Sequence, residues 1–186
     1  MAGTRVATHQ GWRPVESLMQ GDLVATFDSG FQPLEAITQH RAWIAATPLR
    51  KRAAPLHVAR GVLRNRRDMM VLPGQPVMIE SDAAERLLGD PFAVVPARAL
   101  LGLAGVEPWQ LDIPVDILVL RMARDELVYV DGGALVLAGA ADAQGQNPGS
   151  RRRDTGARYG VLGGELAQLV VQLQGGSDFG LPGDAA

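Results

Sequence analysis

Hydrophobic and polar residues alternate over short distances from the first residues onward. Thr4 to Thr8 alternates, His9-Gln10-Gly11 turns, and Trp12 to Val15 returns, which predicts a β-hairpin. Glu16 to Asp22 fits one helical turn closed by Gly21, and Leu23 to Phe27 enters a second hairpin through Asp28-Ser29-Gly30. The outgoing strand, Phe31 to Trp43, is long enough to bend. Short apolar runs then recur at Leu56–Val58, Met69–Leu72, Val77–Ile79 and Ala93–Val95, separated by Gly, Pro and Asp. Ala97 to Leu103 suits a short helix, and Pro108 and Pro114 flank an extended piece. Val115–Met122 forms a further strand. Asp125–Val130 pairs through Asp131-Gly132-Gly133 with Ala134–Leu137. Strands at this spacing predict an all-β fold of short strands and hairpins rather than βαβ alternation.

The pattern changes near Gly139, which divides the chain into a β domain at 1–139 and a C-terminal linker and arm at 140–186. Ala140 to Gly149 is small and polar, Arg151-Arg152-Arg153-Asp154 is charged, and Gly175 to Ala186 is rich in Gly, Asp and Pro. Between these lies one periodic segment. Leu162, Leu166, Leu169, Val170 and Leu173 share one face of a short amphipathic helix around 162–174. A helix this short does not hold alone in water, so its stripe needs a surface, either the domain itself or another chain. These five residues, with Arg151, Arg152 and Arg153, are the candidates for binding other protein subunits, in an oligomer or a hetero-assembly.

Composition narrows the chemistry. The chain has 186 residues, 47% hydrophobic and 20% charged, enough to bury a sizeable core. Cysteine is absent, which excludes disulfides, thiolate metal sites and thiol nucleophiles. No apolar run reaches the roughly 18 residues of a membrane span, and Met1-Ala2-Gly3-Thr4 opens no leader-like segment. The formal net charge is only -2, and aromatics make up 5%. Basic clusters stand at Arg50-Lys51-Arg52, at Arg64, Arg66 and Arg67, and at Arg151–Arg153, but without a stacking platform nucleic-acid binding is not expected.

His9, His40 and His57 match no local ligand motif, so neither a metal nor a cofactor is expected. Asp112, Asp116, Asp125, Glu126 and Asp131 offer carboxylates, but no spacing selects a pair. Thr8 and His9 face opposite sides of a strand, which sets aside a Thr nucleophile with His9 as its base. Gly160-Val161-Leu162-Gly163-Gly164 lacks the Lys-Ser/Thr of a phosphate loop. Trp12, Trp43 and Trp109 read as core or hairpin packing residues.

One stretch stands apart: Arg66-Arg67-Asp68-Met69-Met70-Val71-Leu72-Pro73-Gly74-Gln75-Pro76-Val77-Met78-Ile79. It resembles the Arg-Asp-hydrophobic run that leads into Ser-Pro-x-His-Arg-Val in the bacterial branch of the Hedgehog/intein (Hint) superfamily. Other blocks follow the family's order over about residues 2 to 137. They are Gly3–Thr8, Val15-Glu16-Ser17-Leu18-Met19-Gln20-Gly21-Asp22-Leu23-Val24, Phe31–Leu34, Leu56–Leu63, Val95–Leu100 and Glu126–Gly132. The resemblance implies a horseshoe-shaped Hint-like fold. It also implies a self-processing ancestry, in which a Cys or Ser just upstream of Gly3-Thr4 attacks its own preceding carbonyl while a His polarises the amide.

The reactive positions depart from that pattern. Leu72 stands where Ser is usual, Gln75 where His is usual, and Asp125 where a second His is often found; the nucleophile position falls at or before Met1. No catalytic residue is therefore expected, Gln75 marking the family position. The expected function is a non-catalytic structural or interaction module in a bacterial multi-protein assembly, of which a phage-like particle is one form. Self-cleavage with residual or relocated activity is the alternative. The motif strand is expected to hold Met70, Val71, Val77 and Ile79 in a β core.

Overall fold

The computed structural model describes residues 1–42, 54–109, 115–140 and 159–175. Two hairpins built alike open the chain: β1 (Arg5–Thr8) with β2 (Gly11–Pro14), and β3 (Leu23–Thr26) with β4 (Gly30–Ala42). In each, the incoming strand ends on a buried threonine whose hydroxyl closes the turn. Thr8 Oγ1 donates to the Gly11 carbonyl at 2.7 Å and accepts from the Gln10 N–H; Thr26 Oγ1 donates to the Gly30 carbonyl at 2.8 Å and accepts from the Ser29 N–H. Next in the chain come β5 (Leu56–Val58), β6 (Met69–Val71), β7 (Pro76–Glu80), α1 (Asp82–Leu88), β8 (Phe92–Pro96), β9 (Val106–Pro108), β10 (Val115–Met122), β11 (Glu126–Val130), β12 (Ala134–Ala140) and α2 (Gly164–Gly175).

The long strand β4 does bend. It runs antiparallel to β10 from Ala42↔Val115, but the register passes from Ala36↔Arg121 to Leu34↔Met122, leaving Glu35 as a bulge residue. Beyond the bulge β4 pairs with β3. Pairings β3–β4, β4–β10, β10–β12, β12–β11 and β11–β3 return to their start, so the large sheet closes on itself like a barrel. β7 and β8 extend it from β12, and β6, β5 and β9 form a separate three-stranded sheet. The all-β expectation holds, with one addition inside the domain. Helix α1 is capped by Ser81, whose side chain accepts from the Ala83 and Ala84 N–H groups, and it ends on Gly89 in the left-handed region.

Alternation along the strands divides the core between two faces. Val95 joins a large buried cluster with Val6, Val24, Leu34 and Val128, while its neighbour Val94 joins a smaller one with Leu127 and Leu135. In the motif strand Val71, Val77 and Ile79 are buried, but Met69 takes the inward place expected of Met70, which is half-buried. Trp12 and Trp109, expected as packing residues, are 41% and 42% exposed, because both belong to sheet edges. Trp43, Arg50, Lys51, Arg52, Asp112 and Arg151–Arg153 lie outside the described residues.

The C-terminal helix docks on the domain through a different arc from the leucine stripe. Ala167, Val170 and Val171 are buried in the large cluster, and Leu162 packs partly against it; Leu166, Leu169 and Leu173 remain exposed. Its approach is equally specific. Tyr159 packs into the smaller cluster and its hydroxyl donates to Asp28, Val161 pairs with Val94, and the Leu162 N–H donates to the Val94 carbonyl at 2.8 Å. Residues 159–175 thus wrap the outer edge of β8 and contribute to both clusters.

Asp131 joins three distant segments at the β11–β12 turn. Its Oδ1 accepts from the Arg5 N–H at 3.0 Å, its own N–H donates to the Arg5 carbonyl, and its carbonyl accepts from the Arg66 N–H, both at 2.8 Å. It is buried and sits at φ +44°, a conformation Asp and Asn tolerate better than other non-glycine residues. The next glycines are required by proximity. A Cβ on Gly133 would lie 2.5 Å from the Arg64 carbonyl oxygen, and one on Gly132 would lie 2.7 Å from Arg66 Cβ.

Two outcomes follow for stability. Gly133→Ala forces backbone apart from backbone and is expected to cost roughly 3 kcal/mol, measured by denaturant unfolding; a loss within 0.5 kcal/mol, about that of an ordinary surface change, would contradict the close approach. Burial raises the Asp131 carboxyl above its usual range, while the Arg5 N–H and the Arg67 charge pull it down. A raised folded value means that stability is fullest below the ordinary carboxylate range and declines as pH rises through the folded value. Asp131→Asn keeps the acceptor for Arg5 and loses that decline. Its Tm is expected to match or exceed wild type at pH 7, with the advantage shrinking in acid.

Candidate functional site

The family motif strand and the start of the chain are the two places where self-processing chemistry would sit. At the start, the backbone is held by one carbonyl and two carboxylates from three separate parts of the chain. The Ala2 N–H donates to the Asp116 carbonyl at 2.9 Å, the Gly3 N–H to Glu16 Oε2 at 3.0 Å, and the Arg5 N–H to Asp131. Glu16 belongs to the tight turn Val15–Ser17, whose next residues are locked by Asp22: its Oδ2 accepts from the Met19 N–H at 2.9 Å and from Arg13 Nη1 at 3.0 Å. Gly21, at φ +89°, lets the chain reverse there, and its N–H donates to the Leu34 carbonyl. The block Val15–Val24 is therefore the brace that presents the segment around Gly3. Burial lowers the Met1 amino group from its ordinary value, with Asp131 and Glu16 opposing that shift.

The motif strand is tied elsewhere. Leu72 and Gln75 close a turn, the Gln75 N–H donating to the Leu72 carbonyl at 2.9 Å; the Pro73 and Gln75 carbonyls accept from the Arg98 and Ala97 N–H groups. The Gln75 side chain faces β12, where Nε2 donates to the Leu137 carbonyl at 2.9 Å and to the Pro76 carbonyl at 3.2 Å. With Val77 opposite Val136, Gln75 falls level with Ala138, which pairs with Glu126 at the far end of β11 from Asp131. That separates Gln75 from the Asp131 turn by roughly 15 Å of strand. The structure does not bring the two halves of the expected constellation together.

The other candidates have structural partners of their own. The Thr8 hydroxyl closes its hairpin, and His9 and His40 are exposed. Asp125 Oδ1 accepts from the Ala140 N–H at 2.9 Å. Glu126, 1% exposed, accepts from Ser29 Oγ at 2.9 Å and from Arg124 Nε at 2.7 Å, which pins the β3–β4 turn to β11. His57 Nε2 lies 3.3 Å from Asp68 Oδ2 and Nδ1 lies 3.7 Å from Glu107 Oε1, across the small sheet, with the Trp109 ring centroid at 5.5 Å. The Arg60 N–H, and then His57, lower the Asp68 carboxyl. Among the described residues no group of three or more His, Asp or Glu is placed to hold a metal ion. No helix among them is long and apolar enough to cross a membrane.

Sequence reasoning missed two organisers. Asn65 is buried in the loop before the motif strand, where Oδ1 accepts from the Leu63 N–H at 2.9 Å and Nδ2 donates to the Arg67 carbonyl at 2.7 Å and the Ala59 carbonyl at 3.0 Å. It fixes the loop that sends Arg64, in the left-handed region at φ +60°, into an ion pair with Glu80 and presents the Arg66 N–H to Asp131. Ser29 is the other, through Glu126. An Asn or Ser in a loop was the available sign; the partners of Asn65 lie within its own loop, whereas Glu126, the partner of Ser29, is remote in sequence.

Comparison with known proteins points to the same family. Residues 1–135 match the model of the Hint domain family. No curated protein matches the chain. Among solved structures, the AceL NrdHF class 3 split intein, in a GSH-linked splice-inactive variant, is 16% identical with a TM-score of 0.48, covering 76% of this chain and 97% of that one. A bacterial intein-like domain from Clostridium thermocellum is 17% identical with a TM-score of 0.46, covering 73% and 94%. With the family model spanning most of its length, this chain belongs to the Hint domain family.

Proposed function

We propose that this chain keeps the Hint framework without its chemistry and serves as a structural or protein-interaction module in a bacterial multi-protein assembly, a phage-like particle being one such setting. The observation that carries this reading is the state of position 75. A self-processing site needs a side chain that moves a proton to or from the scissile amide. A glutamine amide titrates nowhere near neutral pH. Here it also has a full-time task, holding β7 to the Leu137 carbonyl of β12. The chain has no cysteine to act as nucleophile. What remains is a braced barrel with exposed leucines on α2, which suits contact with protein better than catalysis.

Self-cleavage is the second reading, favoured by membership of the family and by Asp131. A carboxyl raised by burial, beside the backbone that follows Gly3, can donate a proton where a histidine would otherwise do so. The two readings separate by intact-mass measurement of the full chain expressed with an upstream extension. A single unprocessed mass after a day at pH 7 is expected. A product beginning near Gly3 would overturn the non-catalytic reading, and its disappearance in Asp131→Asn would identify the proton donor.

A further inference from the structure

The three-stranded sheet of β6, β5 and β9 carries an ionisable cluster of its own. At its centre is His57 on the middle strand, opposite Met70 of β6 and Glu107 of β9. Nε2 of the ring lies 3.3 Å from Asp68 Oδ2, and Nδ1 on its other side lies 3.7 Å from Glu107 Oε1. The Trp109 ring stands at 5.5 Å, tilted 37° to the imidazole. Among the described residues His57 is the only ion-pair partner of either carboxylate, and Met70 brings no charge to the ring.

The chemistry of imidazole makes this arrangement turn on one proton. A neutral ring carries a single N–H, so one of its two nitrogens presents a lone pair to a carboxylate oxygen. The imidazolium has a donor on both sides and meets both carboxylates. An indole face at this distance also attracts a cation. Asp68 stays ionised through the range in which a histidine titrates, because the Arg60 N–H, and then His57, lower its carboxyl. The ring side chain is 22% exposed, so protons reach it from solvent.

Asp68 carries the effect beyond the sheet. Its second oxygen, Oδ1, accepts from the Arg60 N–H at 2.9 Å and so closes the loop that runs from Arg60 to Arg67. That loop presents the Arg66 N–H to the Asp131 carbonyl. A group that holds Asp68 in place therefore holds both the edge of the small sheet and the base of the loop.

We propose that His57 is a proton-operated clasp: in acid its imidazolium ties Asp68 to Glu107 across β5 and steadies the Arg60–Arg67 loop, and on losing its proton it lets one carboxylate go. The cation has partners in the folded chain that the unfolded chain lacks, so the added protection is present while His57 is protonated and is lost as pH rises and the proton leaves.

Hydrogen exchange on the full chain tests this, read as protection factors so that the intrinsic effect of pH on exchange is removed. For the β5 and β9 amides, the ratio of protection at about pH 5.5 to that at about pH 8 is expected to be about threefold greater in the wild type than in His57→Gln, the size that two solvent-screened ion pairs supply. His40→Gln is expected to leave the ratio unchanged. Asp68→Asn, which keeps an acceptor for Arg60 and removes the charge, and Glu107→Gln are each expected to leave less than a twofold effect. Proton–nitrogen spectra of the histidine rings in the unsubstituted chain give a second readout that depends on no variant folding. Two His57 ring N–H signals are expected at about pH 5.5 and one at about pH 8. A ratio that His57→Gln leaves at the wild-type value, a ratio that His40→Gln lowers equally, or the same single ring N–H at both pH values would each overturn the proposal. None of these readouts depends on whether an upstream extension is cleaved.

Discussion

The architecture depends on one buried turn residue and the hydrogen bonds around it. Asp131 binds the first strand through the Arg5 backbone, the Arg64–Arg66 loop through its own carbonyl, and the β11–β12 turn through its place in it. These segments are far apart in sequence, and they meet at this turn. Burying a charge is unfavourable unless its hydrogen bonds are met, and here a backbone N–H and nearby basic groups meet that demand only in part, since burial still dominates the carboxyl. The turn is correspondingly tight. Gly132 and Gly133 leave room for the loop that carries Arg64 and Arg66, and side chains there would press that loop off the barrel.

Local features of this fold were legible in the sequence because local chemistry causes them. The two opening hairpins follow from alternation and turn residues, and the threonine closures explain why those turns are tight. The Asp131-Gly132-Gly133 hairpin was readable for the same reason. Helix α1 carried readable marks as well, Ser81 before it and Gly89 after it, but at seven residues it is too short for periodicity to announce. Closure of the barrel was not legible, since a single register pair such as Val128↔Thr26 leaves no trace in either strand alone. The same limit hid Ser29, whose importance comes from the Glu126 carboxylate that folding places beside it.

The arm shows a different kind of ambiguity. The sequence puts Leu162, Leu166, Leu169, Val170 and Leu173 on one stripe, but Leu162 precedes the helix and Val170 is buried with Ala167 and Val171, which widen the apolar arc until periodicity no longer says which part faces inward. Packing against α1, β8 and the turn at Ala97–Leu100 selects the smaller side chains, because they let the helix approach closely. The largest apolar residues are thereby left at the surface. They lie in residues beyond the family-matched portion at 1–135.

The hydrogen bond from Gln75 to Leu137 has a consequence for what can occupy that position. An amide at that position is not an empty seat but a tenant with its own hold on the sheet. A histidine there would satisfy the Leu137 carbonyl only by aiming an N–H at β12, and that hydrogen would then be committed to the sheet. Any change at position 75 thus begins with a loosened strand, so the sheet itself, as much as any chemistry, governs which side chains can sit there.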